Sequence, residues 1–224
     1  MSDVKKQLFE QLALIAHSLS SPQRIELLDY IAQSERGVEE LSSLSGLSVA
    51  NTSRHLQVLK QNGLVTMRKQ GKQRLYQISG NDIILLLSSL RKTAESHLAE
   101  TDRLKNHLLT SKTSLATWTS QELFEKSQKT EIVLLDVRPK NEFIQGHIEG
   151  AINIPPQEIQ QRLHEIPRNK TVVAYCRGPY CKYSYEIEDA LQQEGVEIHR
   201  LEEGFPEWKA AGLPYKITPK NETL

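Results

Sequence analysis

The chain has 224 residues, with 28 Lys and Arg balancing 28 Asp and Glu, and is 38% hydrophobic and 25% charged. That length suits one large or two small domains, and the composition is globular, with no low-complexity block. No run approaches the ~18 continuous apolar residues of a membrane span, and Glu10, Gln11 and His17 interrupt the opening MSDVKKQLFEQLALIAHSL, which reads as an amphipathic helix and not a signal peptide. Two cysteines make no disulfide framework, so a cytoplasmic chain with no membrane partner is expected.

Residues 4–19 carry helical apolar spacing at Leu8, Leu12, Ile15 and Leu19. Ser20-Ser21-Pro22 opens a second helix, with Pro near its first position, and VEELSSL (38–44) makes a short third one. Ser48 is a good N-cap for VANTSRHLQVLKQN, which ends at Gly63. Two alternating runs, LVTMR and RLYQI, follow around the basic tip KQGK and predict a hairpin. Helix, tight turn, helix and hairpin describe a mainly-α winged helix-turn-helix. From Ser48 to Tyr76 there is no Asp or Glu, while Arg54, Lys60, Arg68, Lys69, Lys72 and Arg74 are all basic. Such a locally basic surface on a neutral chain is what phosphate contacts need.

A long helix is expected over 81–110, with Leu87, Leu90, Ala94, Leu98, Thr101, Leu104 and Leu108 along one seam, suited to a partner helix and so to a homodimer. Residues 111–115 read as a linker between a first domain at 1–110 and a second at 116–220. In the second, strand and helix alternate: EIVLLDV, AINI and TVVAY are strands, 183–195 is a helix, 196–201 a strand and 206–211 a last helix. This predicts an α/β domain with a parallel sheet.

The two cysteines, Cys176 and Cys181, bracket the loop CRGPYC, which leaves a strand and enters a helix. Ligands bind at such strand ends, and a thiolate beside a helix N-terminus has a lowered pKa. Arg177 and Lys182 add positive charge. A metal clip, a disulfide, a redox pair and an activated nucleophile all remain open on spacing alone; half a zinc site is the most that two thiols supply. Glu95, His97, Asp102 and His107 on the long helix read as surface or seam residues, so no metal and no cofactor are expected.

Two resemblances sharpen this. Asp136-Val-Arg138, Glu142-Phe-Ile-Gln-Gly-His147-Ile-Glu-Gly150, Tyr175-Cys176-Arg177, Glu203-Gly204-Phe205-Pro-Glu-Trp208 and Gly212-Leu-Pro214 resemble a rhodanese domain over about 116–217. The resemblance implies that Cys176 accepts sulfur as a persulfide, within a cradle of backbone N–H groups from 177–182. Asp136, Arg138, His147, Gly178 and Tyr180 would shape the rim; Cys181, a second thiol unusual for plain sulfurtransferases, suggests a sensor in which it is the redox partner of Cys176. Two positions depart from the pattern: Glu203 stands where a glycine is usual, and Lys182 stands where oxyanion-handling relatives carry Arg. Lys is a point charge without the planar fork.

Residues 5–110 are similar to the ArsR family of winged-helix repressors, through Ala13 to Leu28, Leu47-Ser48, Ser53-Arg54-His55-Leu56, Leu59, Gly63-Leu-Val65 and Arg74-Leu-Tyr76. The resemblance implies a recognition helix at 48–62. Asn51, Thr52, Arg54 and His55 would reach base edges of a double-stranded operator, and Ser53, Gln57 and Lys60 its phosphates, with Lys69, Lys72 and Arg74 acting from the wing. The expected function is a repressor that senses a small sulfur-containing or oxidant effector. Alternatives are a working thiosulfate or persulfide sulfurtransferase, and an arsenic-responsive or arsenate reductase-like protein.

Overall fold

The computed structural model describes residues 3–108, 117–129, 131–181 and 183–218. The chain divides into two units, Met1–Leu87 and Ser88–Leu224. The linker at 111–115 and Lys182 lie outside the described residues.

In the first unit, α1 (Asp3–Ser18), α2 (Pro22–Gln33), α3 (Val38–Ser45) and α4 (Val49–Gln61) precede the hairpin β2 (Val65–Gln70) and β3 (Gln73–Ile78). Strand β1 (Arg36–Gly37) pairs antiparallel with β3, giving the sheet order β1-β3-β2. The apolar positions of α2, α3 and α4 meet in one core containing Leu27, Leu28, Ile31, Leu41, Leu56 and Leu59, closed by Tyr76 from the hairpin. Gly71 takes φ 59° at the hairpin tip, a left-handed conformation that a branched residue resists. α1 differs from its neighbours: Leu8 is 60% and Leu12 65% exposed, so its apolar stripe is not buried within this chain.

The expected single helix over 81–110 is two helices, α5 (Asn81–His97) and α6 (Ala99–Leu108). Lys105 Nζ lies 3.4 Å from Glu95 Oε2, ten positions earlier. In a straight helix those residues would stand about 15 Å apart along the axis, so the chain bends sharply at Leu98. Glu100 and Asp102 fall in the first turn of α6, where acids complement the helix dipole. The regular leucine spacing conceals this restart.

In the second unit the described strands form a five-stranded sheet in the order β4-β9-β8-β5-β7, every pair parallel. These are β4 (Thr117–Trp118), β5 (Ile132–Asp136), β7 (Ile152–Asn153), β8 (Thr171–Tyr175) and β9 (Ile198–Leu201). Successive strand residues point to opposite faces. Val172, Ala174 and Cys176 therefore join one core with Ile187 and Leu191 of α10 (Tyr183–Gln193). Val173 and Tyr175 join the other, with Leu123 of α7 (Ser120–Ser127) and Phe205 and Trp208 of α11 (Phe205–Ala210). Burial on both faces explains the continuous apolar runs. A short antiparallel pair joins β6 (His147–Ile148) to β10 (Tyr215–Lys216). Helices α7, α8 (Lys140–Gln145) and α9 (Ile159–Arg162) add to the elements expected from sequence; a Thr119/Glu122 capping box marks the start of α7.

Candidate functional site

β8 and β5 run side by side with Tyr175 opposite Asp136, so the chain leaves the carboxyl end of the sheet at Cys176. The loop that follows returns on itself: Cys181 N donates to Gly178 O at 3.1 Å, and Ser184 Oγ to Cys181 O at 3.1 Å. Cys176 and Cys181 are joined as a disulfide, with their Cα atoms 6.3 Å apart. The sequence leaves this pairing open, and the turn at Gly178 is what brings the second thiol back. Cys176 is only 2% exposed and belongs to the core, whereas Cys181 packs against that core and stays half-buried. Of the alternatives that the spacing leaves open, this form shows the disulfide. α11 closes over the loop, with Phe205 N donating to Cys176 O at 3.2 Å. A Cβ at Gly204 would lie 2.3 Å from the Arg177 carbonyl oxygen, so only glycine permits this approach.

A buried polar frame holds the strand ends. Arg138 Nη2 donates to Asp136 Oδ2 and to Gly146 O, both at 2.6 Å, and its guanidinium lies 4.3 Å from the Phe205 ring centroid. Asp136 and Arg138 are both wholly buried and brace the wall from inside. Burial, followed by the Asp136 charge, pushes the Tyr175 hydroxyl well above its ordinary value, so it stays protonated while accepting from Ile148 N at 3.0 Å. Arg177 turns to Glu142, donating from Nη2 at 2.6 Å and from Nε at 3.1 Å to each carboxylate oxygen. Its charge is therefore matched by a buried carboxylate instead of standing free beside the sulfurs. His147 is buried too; its Nδ1 donates to Phe143 O at 2.9 Å and its ring stacks on Phe143 at 3.7 Å.

Within the same unit, residues 91–95 of α5 touch this loop. Arg91 lies 5.5 Å from the Tyr180 ring centroid, and its Nη1 is 3.2 Å from Glu207 Oε1. Glu207 in turn accepts from Gly204 N at 3.1 Å, capping the helix that closes on Cys176. Lys92 Nζ is 3.6 Å from Glu203, the acid standing at the usual glycine position, and Glu203 also accepts from Ser120 Oγ at 2.5 Å. Burial, then hydrogen bonding and charge from Glu95, pushes the Tyr180 hydroxyl up to about 12. Sequence reasoning misses Arg91, Glu95, Glu142 and Glu207, because nothing local links them to the cysteines.

On α4, the Ser48 side chain accepts from Asn51 N, as its N-cap role requires. Asn51, Arg54, Gln57 and Lys60 are exposed, and Ser53 and His55 half-buried. Thr52 is corrected: it is fully buried and its hydroxyl donates to Ser48 O at 3.0 Å, so it faces the core and not a base edge. Burial, then Arg24 and Arg54, lowers the His55 pKa, leaving the ring neutral at pH 7. Lys69, Lys72 and Arg74 are exposed along the hairpin, while Arg68 is bonded to Glu35. Among the described residues no three His, Cys, Asp or Glu side chains gather as a metal set, and no helix is long and apolar enough to cross a membrane.

Residues 21–67 match the bacterial regulatory protein, arsR family, and residues 119–211 match the rhodanese-like domain. Over 213 residues the chain is 38% identical to an HTH-type transcriptional regulator of Mycobacterium tuberculosis, covering 95% of this chain and 93% of that one. The chain belongs to this family. It is a transcriptional regulator with an ArsR-type winged helix-turn-helix and a rhodanese-like domain. The regulator's C-terminal part is 37% identical over 97 residues to a sulfurtransferase of Allochromatium vinosum, covering 42% of this chain and 89% of that one. A solved homodimeric winged helix-turn-helix DNA-binding domain from Mycobacterium bovis, a fragment of a possible ArsR-family regulator, is 35% identical, covers 45% of this chain and 93% of that one, and has a TM-score of 0.42.

Proposed function

We propose that the regulator binds operator DNA as a homodimer and that the sulfur or redox state of Cys176 and Cys181 controls that binding. The observation that carries this is the disulfide itself, set between the carboxyl end of β8 and α10 of a rhodanese-like domain. The pair has two covalent states, and Tyr180 lies between the two cysteines in sequence and against Arg91 in space. α5, which carries Arg91, begins directly after the DNA-binding hairpin. A change in the loop would reach α5 through Arg91, and control of DNA binding requires that the two states of the cysteine pair bias it differently.

On the DNA side, Asn51, Arg54 and His55 meet base edges, Ser53, Gln57 and Lys60 meet phosphates, and Lys69, Lys72 and Arg74 act from the wing. Dimerisation is supported by the unburied apolar side chains of α1 and α5: Leu8, Leu12, Leu85 and Leu90 are each more than 40% exposed. Apolar side chains left exposed along a helix are the kind of surface that a partner helix covers. The test is intact mass before and after polysulfide, with operator binding followed on the same samples. Sulfur gained with an altered affinity supports the proposal, and sulfur gained with unaltered affinity refutes it.

A second reading, an active sulfurtransferase tethered to DNA, is favoured by the likeness to the Allochromatium protein. It predicts turnover of thiosulfate with cyanide that Cys176→Ser abolishes. Release from DNA by arsenite but not by polysulfide would favour an arsenic-responsive regulator instead.

A further inference from the structure

The two sulfurs of the loop are unequally placed. Cys176 is 2% exposed and packed among Val172, Ala174 and Ile187 in the core beneath α10. Cys181 lies against the same core but keeps solvent contact, next to Tyr180, which is 40% exposed. Thiolates open disulfides by in-line attack, so which sulfur is attacked depends on access.

We propose that Cys181 is the point of attack, the residue that first takes a sulfur atom from a small sulfur nucleophile of the hydrosulfide class, with Cys176 as the leaving thiolate. Hydrosulfide bonds to Cys181 Sγ, the Cys176–Cys181 bond breaks, and its electron pair departs on Cys176 Sγ. The hydrosulfide proton remains on the terminal sulfur, so Cys181 becomes a persulfide. The incoming sulfur is oxidised as Cys176 is reduced, and no further oxidant is needed. Cys176, now a thiolate within the same loop, then attacks the terminal sulfur: a new S–S bond forms at Cys176 Sγ, the inner S–S bond at Cys181 breaks, and its electron pair leaves on Cys181 Sγ as a thiolate. The persulfide expected at Cys176 is therefore the second product and not the first. This rests on reading the two cysteines as the reactive pair, but not on their control of DNA.

Trypsin separates the two, since cleavage after Lys170, Arg177 and Lys182 yields TVVAYCR with Cys176 and GPYCK with Cys181. The oxidised full-length regulator is mixed with sodium hydrosulfide, quenched in acid over a time course, capped with N-ethylmaleimide in urea, digested and weighed. At the earliest times the additional sulfur is expected on GPYCK at least about tenfold over TVVAYCR, with the balance moving to TVVAYCR later. Additional sulfur appearing first on TVVAYCR, or a disulfide that hydrosulfide leaves closed, overturns the proposal. Operator binding on the same samples separates the two claims: unchanged affinity defeats the sensor reading and leaves the order of attack standing.

Discussion

Single residues in the second unit carry unequal loads. Arg138 and Asp136 form a wholly buried ion pair, and Arg138 also supports the Gly146 carbonyl. Removing one partner leaves an uncompensated buried charge, so Arg138→Ala should cost about 3–5 kcal/mol by urea unfolding, while an exposed pair such as Arg168 with Glu194 should cost under about 1 kcal/mol. Tyr180 has a different signature. Its pKa is raised from 10.0 to about 12 in the folded chain, so the folded form holds its proton more tightly than the unfolded one. That contribution to stability is complete below pH 10 and is lost as pH rises through about 12. Tyr180→Phe should flatten the alkaline limb of a stability-against-pH curve in that window. Tyr175 moves in the same direction and remains in the variant, so a limb unaltered by the substitution would contradict the placement. At this scale the sequence is informative about residues with a fixed backbone duty, such as Ser48 and Gly204. It is silent on Glu142 and Glu207, whose partners are distant in the chain.

At the scale of elements, α4 and the hairpin form the DNA-facing part of the proposal. Ser48→Ala removes the N-cap of α4 and should lower stability by about 1 kcal/mol on thermal or urea unfolding. Neutralising Lys72 and Arg74 on the exposed hairpin should weaken binding to all sequences alike. The salt slope should fall by about 1 for each phosphate that no longer meets a cation, read from operator titrations over a salt series. A sequence-selective loss would contradict the wing's role. Period and punctuation make most elements legible: Ser48 and Gly63 bound α4, and continuous apolar runs mark β5 and β8. The bend at Leu98 is not legible, because the leucine spacing of α5 continues into α6 and only the Lys105 to Glu95 ion pair exposes the reversal. Thr52 is misplaced by sequence for a similar reason. A polar residue in a recognition helix looks exposed until its hydroxyl is seen to bond the Ser48 carbonyl.

For the whole molecule, the central claim is that a disulfide in one unit governs DNA binding by the other. The two family matches are legible because their motifs are ordered along the chain, from Ser48 and Arg54 to Cys176 and Trp208. The contacts of α5 with the cysteine loop are not legible, since no local pattern encodes Arg91 against Tyr180 and Glu207. The most direct measurement is operator affinity of the full-length chain, reduced and after polysulfide, for the natural sequence and for Cys176→Ser, with intact mass on each sample. Treatment is expected to change the affinity of the natural chain, with sulfur gained or the disulfide formed, and to leave the affinity of Cys176→Ser as it was. A Cys176→Ser chain that still responds, or a natural chain that gains sulfur and binds unchanged, would contradict the central claim.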